Sequence, residues 1–255
     1  MMLNNEFESY NKLHNALSEV RVLIDFAYDY ETTQLKYSAL NKSALLLLTS
    51  KFEVFVEDII QEYVEKINSI KPKNINISEQ IKLKHTMYKL KELNGTIEHD
   101  HKKEINIEIL KNIAKLWQES EECFDSLTIS NKFNYGKHGA NELQKIFSNI
   151  NISDVFSTIV LYSDEEETML EEANIIDFKT TFNNIVNLRN RITHQDITPN
   201  LTHKQIEGYM KILDNFSNEV CKYLFATLEE LQEQNNLQER NNSQEQYEIL
   251  EESLI

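Results

Sequence analysis

Ala44-Leu45-Leu46-Leu47-Leu48-Thr49-Ser50-Lys51-Phe52-Glu53-Val54-Phe55-Val56-Glu57-Asp58 lies within a stretch from Ala39 to Ile67 where Leu45, Leu48, Phe52, Phe55, Ile59 and Tyr63 recur three and four residues apart. That period lines one face of an α-helix, and Leu46, Leu47, Val56 and Ile60 widen the stripe beyond what a surface helix carries. The spacing predicts the most buried helix of a helical protein, ending before Lys71-Pro72-Lys73-Asn74.

Working outward, Leu13, Leu17, Val20, Ile24 and Ala27 predict an amphipathic helix from Glu8 to about Tyr37. A basic helix is expected over Ile81 to Leu93, a break at Asn94-Gly95, and a helix from about Glu104 to Phe124 carrying Ile109, Ile113, Leu116 and Trp117. Asn131 to Gly139 reads as a loop, and Leu143, Ile146 and Phe147 as a short helix. Ser163-Asp164-Glu165-Glu166 has the form of a capping box, as does Thr202-His203-Lys204-Gln205, which opens a long helix with Ile206, Met210, Leu213, Val220 and Leu224. Asp177 is the expected N-cap of the helix before it, and Asp196 to Leu201, with Pro199, the turn between two antiparallel helices. The division expected is an N-terminal helix over 1–37, a helical bundle over 38–230, and an acidic Gln/Glu-rich, flexible tail over 231–255.

Composition supports an all-α reading. The 255 residues are 40% hydrophobic, enough for a core, and four glycines with two prolines are too few for the turns of an all-β chain. Cys123 and Cys221 show no paired spacing, so a disulfide framework is not suggested and a reducing, cytoplasmic setting is expected. The longest apolar run, Ala44 to Leu48, is too short to span a bilayer, and no membrane association is expected. A net charge of −16 argues against a broad nucleic-acid coat, because phosphate binding needs cations, although a local site is compatible with it. The negative charge is segregated, with eight glutamates against Arg240 alone from Glu229 to Ile255, and a second cluster at Asp164 to Glu172; Lys179, Arg189, Arg191, Lys204 and Lys211 are expected to gather elsewhere.

Those cations surround Leu188-Arg189-Asn190-Arg191-Ile192-Thr193-His194. On a helix with Ile185 at zero, Phe178, Phe182, Leu188 and Ile192 fall within roughly 60° and Arg189 at roughly 40°, which puts a guanidinium inside the apolar stripe. An unpaired buried charge is costly, so such a position calls for a partner or a functional cavity. A plainer explanation also holds, since Arg and His near a helix C-terminus complement its dipole. Arg189 and His194 together suit metal-free cleavage of a phosphodiester: a cation for the phosphate and an imidazole that moves a proton near neutral pH. His194 projects roughly 140° from Arg189, whereas Asn190 lies roughly 40° from His194 and is expected to orient its ring. Either the helix unwinds near Thr193 or a second chain completes the site.

Arg189-Asn190-Arg191-Ile192-Thr193-His194 resembles the Arg-x(4–6)-His signature of the HEPN superfamily, and Ala44 to Asp58 resembles the first long helix of its RiboL-PSP type. Asn131 to Ile150, followed by Ile152-Ser153-Asp154-Val155-Phe156, is also similar to that subgroup, and the resemblance runs from about Leu40 to Phe225. Thr193 stands where alanine is often found before the histidine, and Gln195 where glycine often follows it. The resemblance implies an all-α, antiparallel bundle with an inserted helical and loop region. It also implies a homodimer with two motifs in one cleft and RNA cleavage without a metal or cofactor, as in toxin–antitoxin pairs and defence against phage. In such a site Arg189 holds the phosphate, His194 transfers protons, and Asn190 orients or binds. Arg191 is expected to contact RNA, as are Lys137 and His138 in Tyr135-Gly136-Lys137-His138-Gly139, a loop whose amides suit a phosphate.

Other groups carry less. Glu98-His99-Asp100-His101 has ligand-type residues but no matched third site, so no metal is assigned. His14, His85 and His203 fall on expected polar helix positions, and Met2, Met87, Met169 and Met210 read as packing residues. Besides a dimeric endoribonuclease with an antitoxin or defence partner, a catalytically silent helical interaction module or antitoxin-like partner, and a plain helical adaptor, stay open.

Overall fold

The computed structural model describes residues 7–96, 98, 100–118, 124, 126–133, 139–163, 175–194 and 200–252, with side chains of the last helix placed up to residue 237. Helix α1 (Glu8–Asp29) buries Leu13, Leu17, Val20, Ile24 and Ala27, the stripe its spacing predicts. It stops before Tyr37, because Thr33 N–H donates to the Tyr30 carbonyl at 2.8 Å and closes a turn that lets the chain fold back. Helix α2 (Gln34–Ile70) follows at once and buries thirteen residues from Asn41 to Ile67. Pro72 disfavours helical geometry in the residue before it, and Lys71 takes a left-handed φ of 49° to end the helix.

The start of α1 is pinned across the hairpin. Glu62 of α2 accepts the N–H groups of Glu8 and Ser9, both at 2.9 Å, and the Ser9 hydroxyl at 2.8 Å. A carboxylate there satisfies orphan donors and meets the positive end of the helix dipole.

Helices α3 (Glu79–Asn94) and α4 (Lys103–Leu116) form a second hairpin. Helix α4 ends well before Phe124: Asn74 Nδ2 donates to the Lys115 carbonyl at 2.9 Å, and the Trp117 indole N–H donates to Thr86 Oγ1 at 2.8 Å, pulling the chain off the helix axis. Residues 126–133 then form a strap along α2. Asn68 holds both backbone groups of Leu127, at 2.7 and 3.0 Å, and Glu57 accepts the Phe133 N–H at 3.1 Å.

This strap leads to α5 (Ala140–Ser148), where Leu143, Ile146 and Phe147 are buried as predicted, and to the single turn α6 (Val155–Thr158). The capping box expected at Ser163 to Glu166 lies largely outside the described residues. Helices α7 (Phe178–His194) and α8 (His203–Glu252) complete the bundle. Helix α7 packs on α2, and α8 on both α1 and α2. Among the described residues there are eight α-helices and no strand beyond a lone bridge between Tyr162 and Ile175, so the fold is an all-α bundle. Among the described residues, no helix is long and apolar enough to cross a membrane.

Aromatic rings join the helices at the centre. Phe178 of α7 stacks on Phe216 of α8 with centroids 4.0 Å apart, while Phe52 of α2 lies 5.4 Å from Phe182 and 6.0 Å from Phe216. Helix α8 runs without a break past residue 231. Asn235 is buried, and its Oδ1 accepts the Lys73 N–H at 3.2 Å, so bundle contacts reach beyond the point where a tail is expected to begin.

Two histidines expected on polar positions are instead buried: His203 beneath Tyr37, and His85 beneath the strap. The Met87 side chain, expected to pack, is exposed, whereas Met210 is buried. His85 Nδ1 accepts the Thr128 N–H at 2.8 Å, and burial lowers the pKa of the ring. A lowered folded-state pKa means that the unfolded chain binds the proton more readily. The His85 contribution is therefore complete above the ordinary imidazole value of about 6.5 and is lost as pH falls below it. The thermal midpoint of the wild type should drop more steeply between about pH 7 and pH 5 than that of His85→Gln. Parallel slopes would show that His85 is not the group involved.

Candidate active site

The motif helix is built from its N-terminus upward. Asp177 Oδ1 accepts the Thr180 N–H at 3.0 Å, the cap that the sequence predicts, and bonding from Thr180 holds its carboxyl below the usual range. Phe178, Phe182, Ile185 and Val186 are buried, and Leu188 and Ile192 pack half-buried against the core. The first three turns are thus embedded, while the last turn and a half emerges. Arg189 and Asn190 are half-buried, and Arg191, Thr193 and His194 are exposed.

Arg189, expected inside the apolar stripe, is half-buried at its edge, where the helix emerges from the core. Its guanidinium donates to Asn190 Oδ1 at 3.1 Å, and among the described residues no carboxylate pairs with it. Asn190, expected to orient the His194 ring, here bonds Arg189 instead. Its side-chain oxygen is engaged with Arg189, because the long arginine side chain folds back along the helix surface to reach its neighbour, and the His194 ring has no hydrogen-bond partner among the described residues.

The helix does not unwind near Thr193. The Thr193 hydroxyl donates to the Arg189 carbonyl at 3.0 Å and shares its proton with the Asn190 carbonyl at 3.4 Å, and α7 stays helical through His194. Such back-bonding to the preceding turn occupies carbonyls that lack partners at a helix end. Arg189 and His194 consequently point roughly 140° apart on one straight helix.

Two groups that the sequence did not single out position this end of the molecule. Asn183 of α7 accepts the Ala140 N–H at 3.0 Å, so the motif helix supplies the cap of α5. Asn183 and Asn190 are seven residues apart and so fall within roughly 20° of one another on the helix, which sets the start of α5 on the Asn190 side of α7. Lys137 and His138, just before it, lie outside the described residues. At the start of α8, Tyr37 shares hydrogen bonds with His203 at 3.1 and 3.2 Å, and Asn41 Nδ2 donates to the Leu201 carbonyl at 3.1 Å. The predicted capping box closes the same turn, with Thr202 N–H to Gln205 Oε1 at 3.1 Å and Gln205 N–H to Thr202 Oγ1 at 3.2 Å. Hydrogen-bonding side chains one or two turns into α2 carried no periodic signal, which is why Tyr37 and Asn41 were not legible.

The expected gathering of cations is looser than the chain order suggests. Lys179 sits at the far end of α7, ten residues and about 15 Å from Arg189, with its ammonium 5.7 Å from the Phe156 ring centre. Lys211 lies 3.9 Å from Glu207, and Lys204 lines a cavity with Arg21, Asp25 and His203. Arg189 and Arg191 are left as the cations of the motif itself.

The arrangement offers one half-buried guanidinium steadied by an amide, with an open imidazole on another face of the same helix. No curated protein and no solved structure matches the chain. The family model of RiboL-PSP-HEPN does match, over residues 11–226, and so takes in α1 as well as the stretch from Leu40 where the resemblance was expected to begin. With the α2 core helix, the strap, α5 and the Arg189–His194 helix all inside that match, the chain belongs to the RiboL-PSP-HEPN family.

Proposed function

We propose that this protein is a metal-independent endoribonuclease of a toxin–antitoxin or anti-phage defence system, with each active site shared between two copies. The observation that carries the reading is Arg189: a guanidinium at the edge of an apolar stripe, tied to Asn190 and not to a carboxylate among the described residues. A cation kept available in this way suits an anionic substrate, whereas a purely structural arginine at that depth ordinarily has a carboxylate. Family membership supports ribonucleotide chemistry. The straight helix through His194 supports a two-chain site, because a second α7 can bring its own histidine to the first chain's arginine.

In this mechanism Arg189 holds the scissile phosphate. A His194 imidazole removes the proton of the ribose 2′-hydroxyl as the oxygen attacks phosphorus. The bond to the 5′-oxygen breaks, that oxygen takes the proton from the imidazolium so formed, and the products are a 2′,3′-cyclic phosphate and a 5′-hydroxyl, with the imidazole regenerated. Arg189, with Arg191 at the rim, stabilises the charge that builds on the phosphorane oxygens. Purified protein incubated with labelled RNA in EDTA should give cyclic-phosphate ends, and His194→Ala should not. Products with 3′-hydroxyl ends, or cleavage that requires Mg²⁺, would assign a different catalytic class.

A further inference from the structure

The α3–α4 hairpin carries an apolar face that none of the described residues covers. Leu83, Met87 and Leu90 of α3 are 44, 57 and 46% exposed, and Leu110 and Trp117 beside α4 are 48 and 43% exposed. The α3 residues fall within roughly 60° on one helix, and Leu110 and Trp117 within roughly 20° on the other. The Trp117 indole N–H, bonded to Thr86 Oγ1 next to Met87, links the two helices beside these residues. Contiguous exposed apolar side chains of this size mark interaction sites in soluble proteins.

Charge narrows the occupant. In a chain of net charge −16, this face is bordered by Lys84, Lys91 and Lys103. Of the acids on the same helices, Glu104 and Glu108 line a cavity of about 340 Å³ with His85 and Glu92 is roughly 180° from Leu83, while Glu79, roughly 40° from Leu83, marks the N-terminal end of the face. An apolar stripe edged with lysines fits an acidic amphipathic helix. The protein itself contains such a segment. Helix α8 continues for seventeen residues past Asn235, the last buried residue among its described side chains, to Glu252, about 26 Å. In that stretch Tyr247 and Leu250 are interspersed with Glu245, Glu248, Glu251 and Glu252, and Leu254 continues their spacing. A helix running so far beyond its bundle gains most of its stability only when its apolar side is packed.

We propose that the open face of the α3–α4 hairpin receives the acidic C-terminal segment of α8 from a second copy of the chain. The contact is independent of the Arg189–His194 site and lies on different elements.

Full-length protein carrying a photo-reactive residue at position 250 should cross-link to a mass-labelled second copy, with the links mapping to residues 83–91 or 103–117. Lys84→Glu/Lys91→Glu and Glu248→Lys/Glu251→Lys should each lower the intermolecular yield about tenfold, and mixing the two variants should restore it, because each hairpin then meets a tail of opposite charge. All four positions are on the outside of the fold or in the extension, and Met87→Glu, at an exposed position, gives a second test of the same face. Links within one chain, links to α7, unchanged yields after charge reversal, or a face that binds anionic vesicles while no cross-link forms would each overturn the proposal. Loss of RNA cleavage with cross-linking intact would concern the active site alone.

Discussion

A heterodimer of one Arg189→Ala chain and one His194→Ala chain should recover RNA cleavage that neither homodimer has. Each substitution alone should cost about 10²- to 10⁴-fold, since Arg189→Ala removes charge stabilisation and His194→Ala removes proton transfer. The geometry behind the expected rescue is simple. On one straight α7 the two side chains diverge by roughly 140°, so in the proposed shared site the arginine comes from one chain and the histidine from the other. The mixed dimer contains one such pair intact and should reach up to about half the wild-type rate. Doubly tagged heterodimers, purified and assayed on labelled RNA, provide the measurement. Intact heterodimers without activity would end the shared-site mechanism, and a strictly monomeric active enzyme would do the same.

The largest effect on stability is expected at Phe216→Ala, at about 3–5 kcal/mol. Phe216 is fully buried, stacks on Phe178 at 4.0 Å, and lies 6.0 and 6.3 Å from Phe52 and Phe147. One truncation therefore removes contacts among α2, α5, α7 and α8, and the cavity opens beneath the N-terminal half of the motif helix. Urea unfolding should show the loss as a lower midpoint, with Leu237→Ala, at an exposed position, as a near-neutral control. A change below about 1 kcal/mol at Phe216 would mean that the four-helix junction is not the centre of the cooperative unit.

Much of the bundle is legible in the sequence alone. The stripes of α1, α2 and α7, the Asp177 cap and the Thr202–Gln205 capping box rest on periodicity and on hydrogen bonds spanning three residues, both of which can be read along the chain. The misplaced boundaries share one cause. Helix α1 ends at Asp29 and α4 at Leu116 because turns and distant side chains, such as Asn74 at the Lys115 carbonyl, terminate them. The burial of His85 follows likewise from the strap at Thr128, forty-three residues away.

By itself the sequence determined that the protein is helical, which helix is innermost, and that an arginine intrudes on an apolar stripe beside a histidine, because each of these depends on residue type and on spacing within one helix. Only the tertiary structure decided that Asn190 serves Arg189 rather than His194, that Thr193 keeps the helix closed, and that Asn183 ties the motif helix to α5. A side-chain amide has several donors and acceptors within reach of its backbone position. Which of them it satisfies is settled by the groups that packing brings beside it, some of them forty or more residues distant.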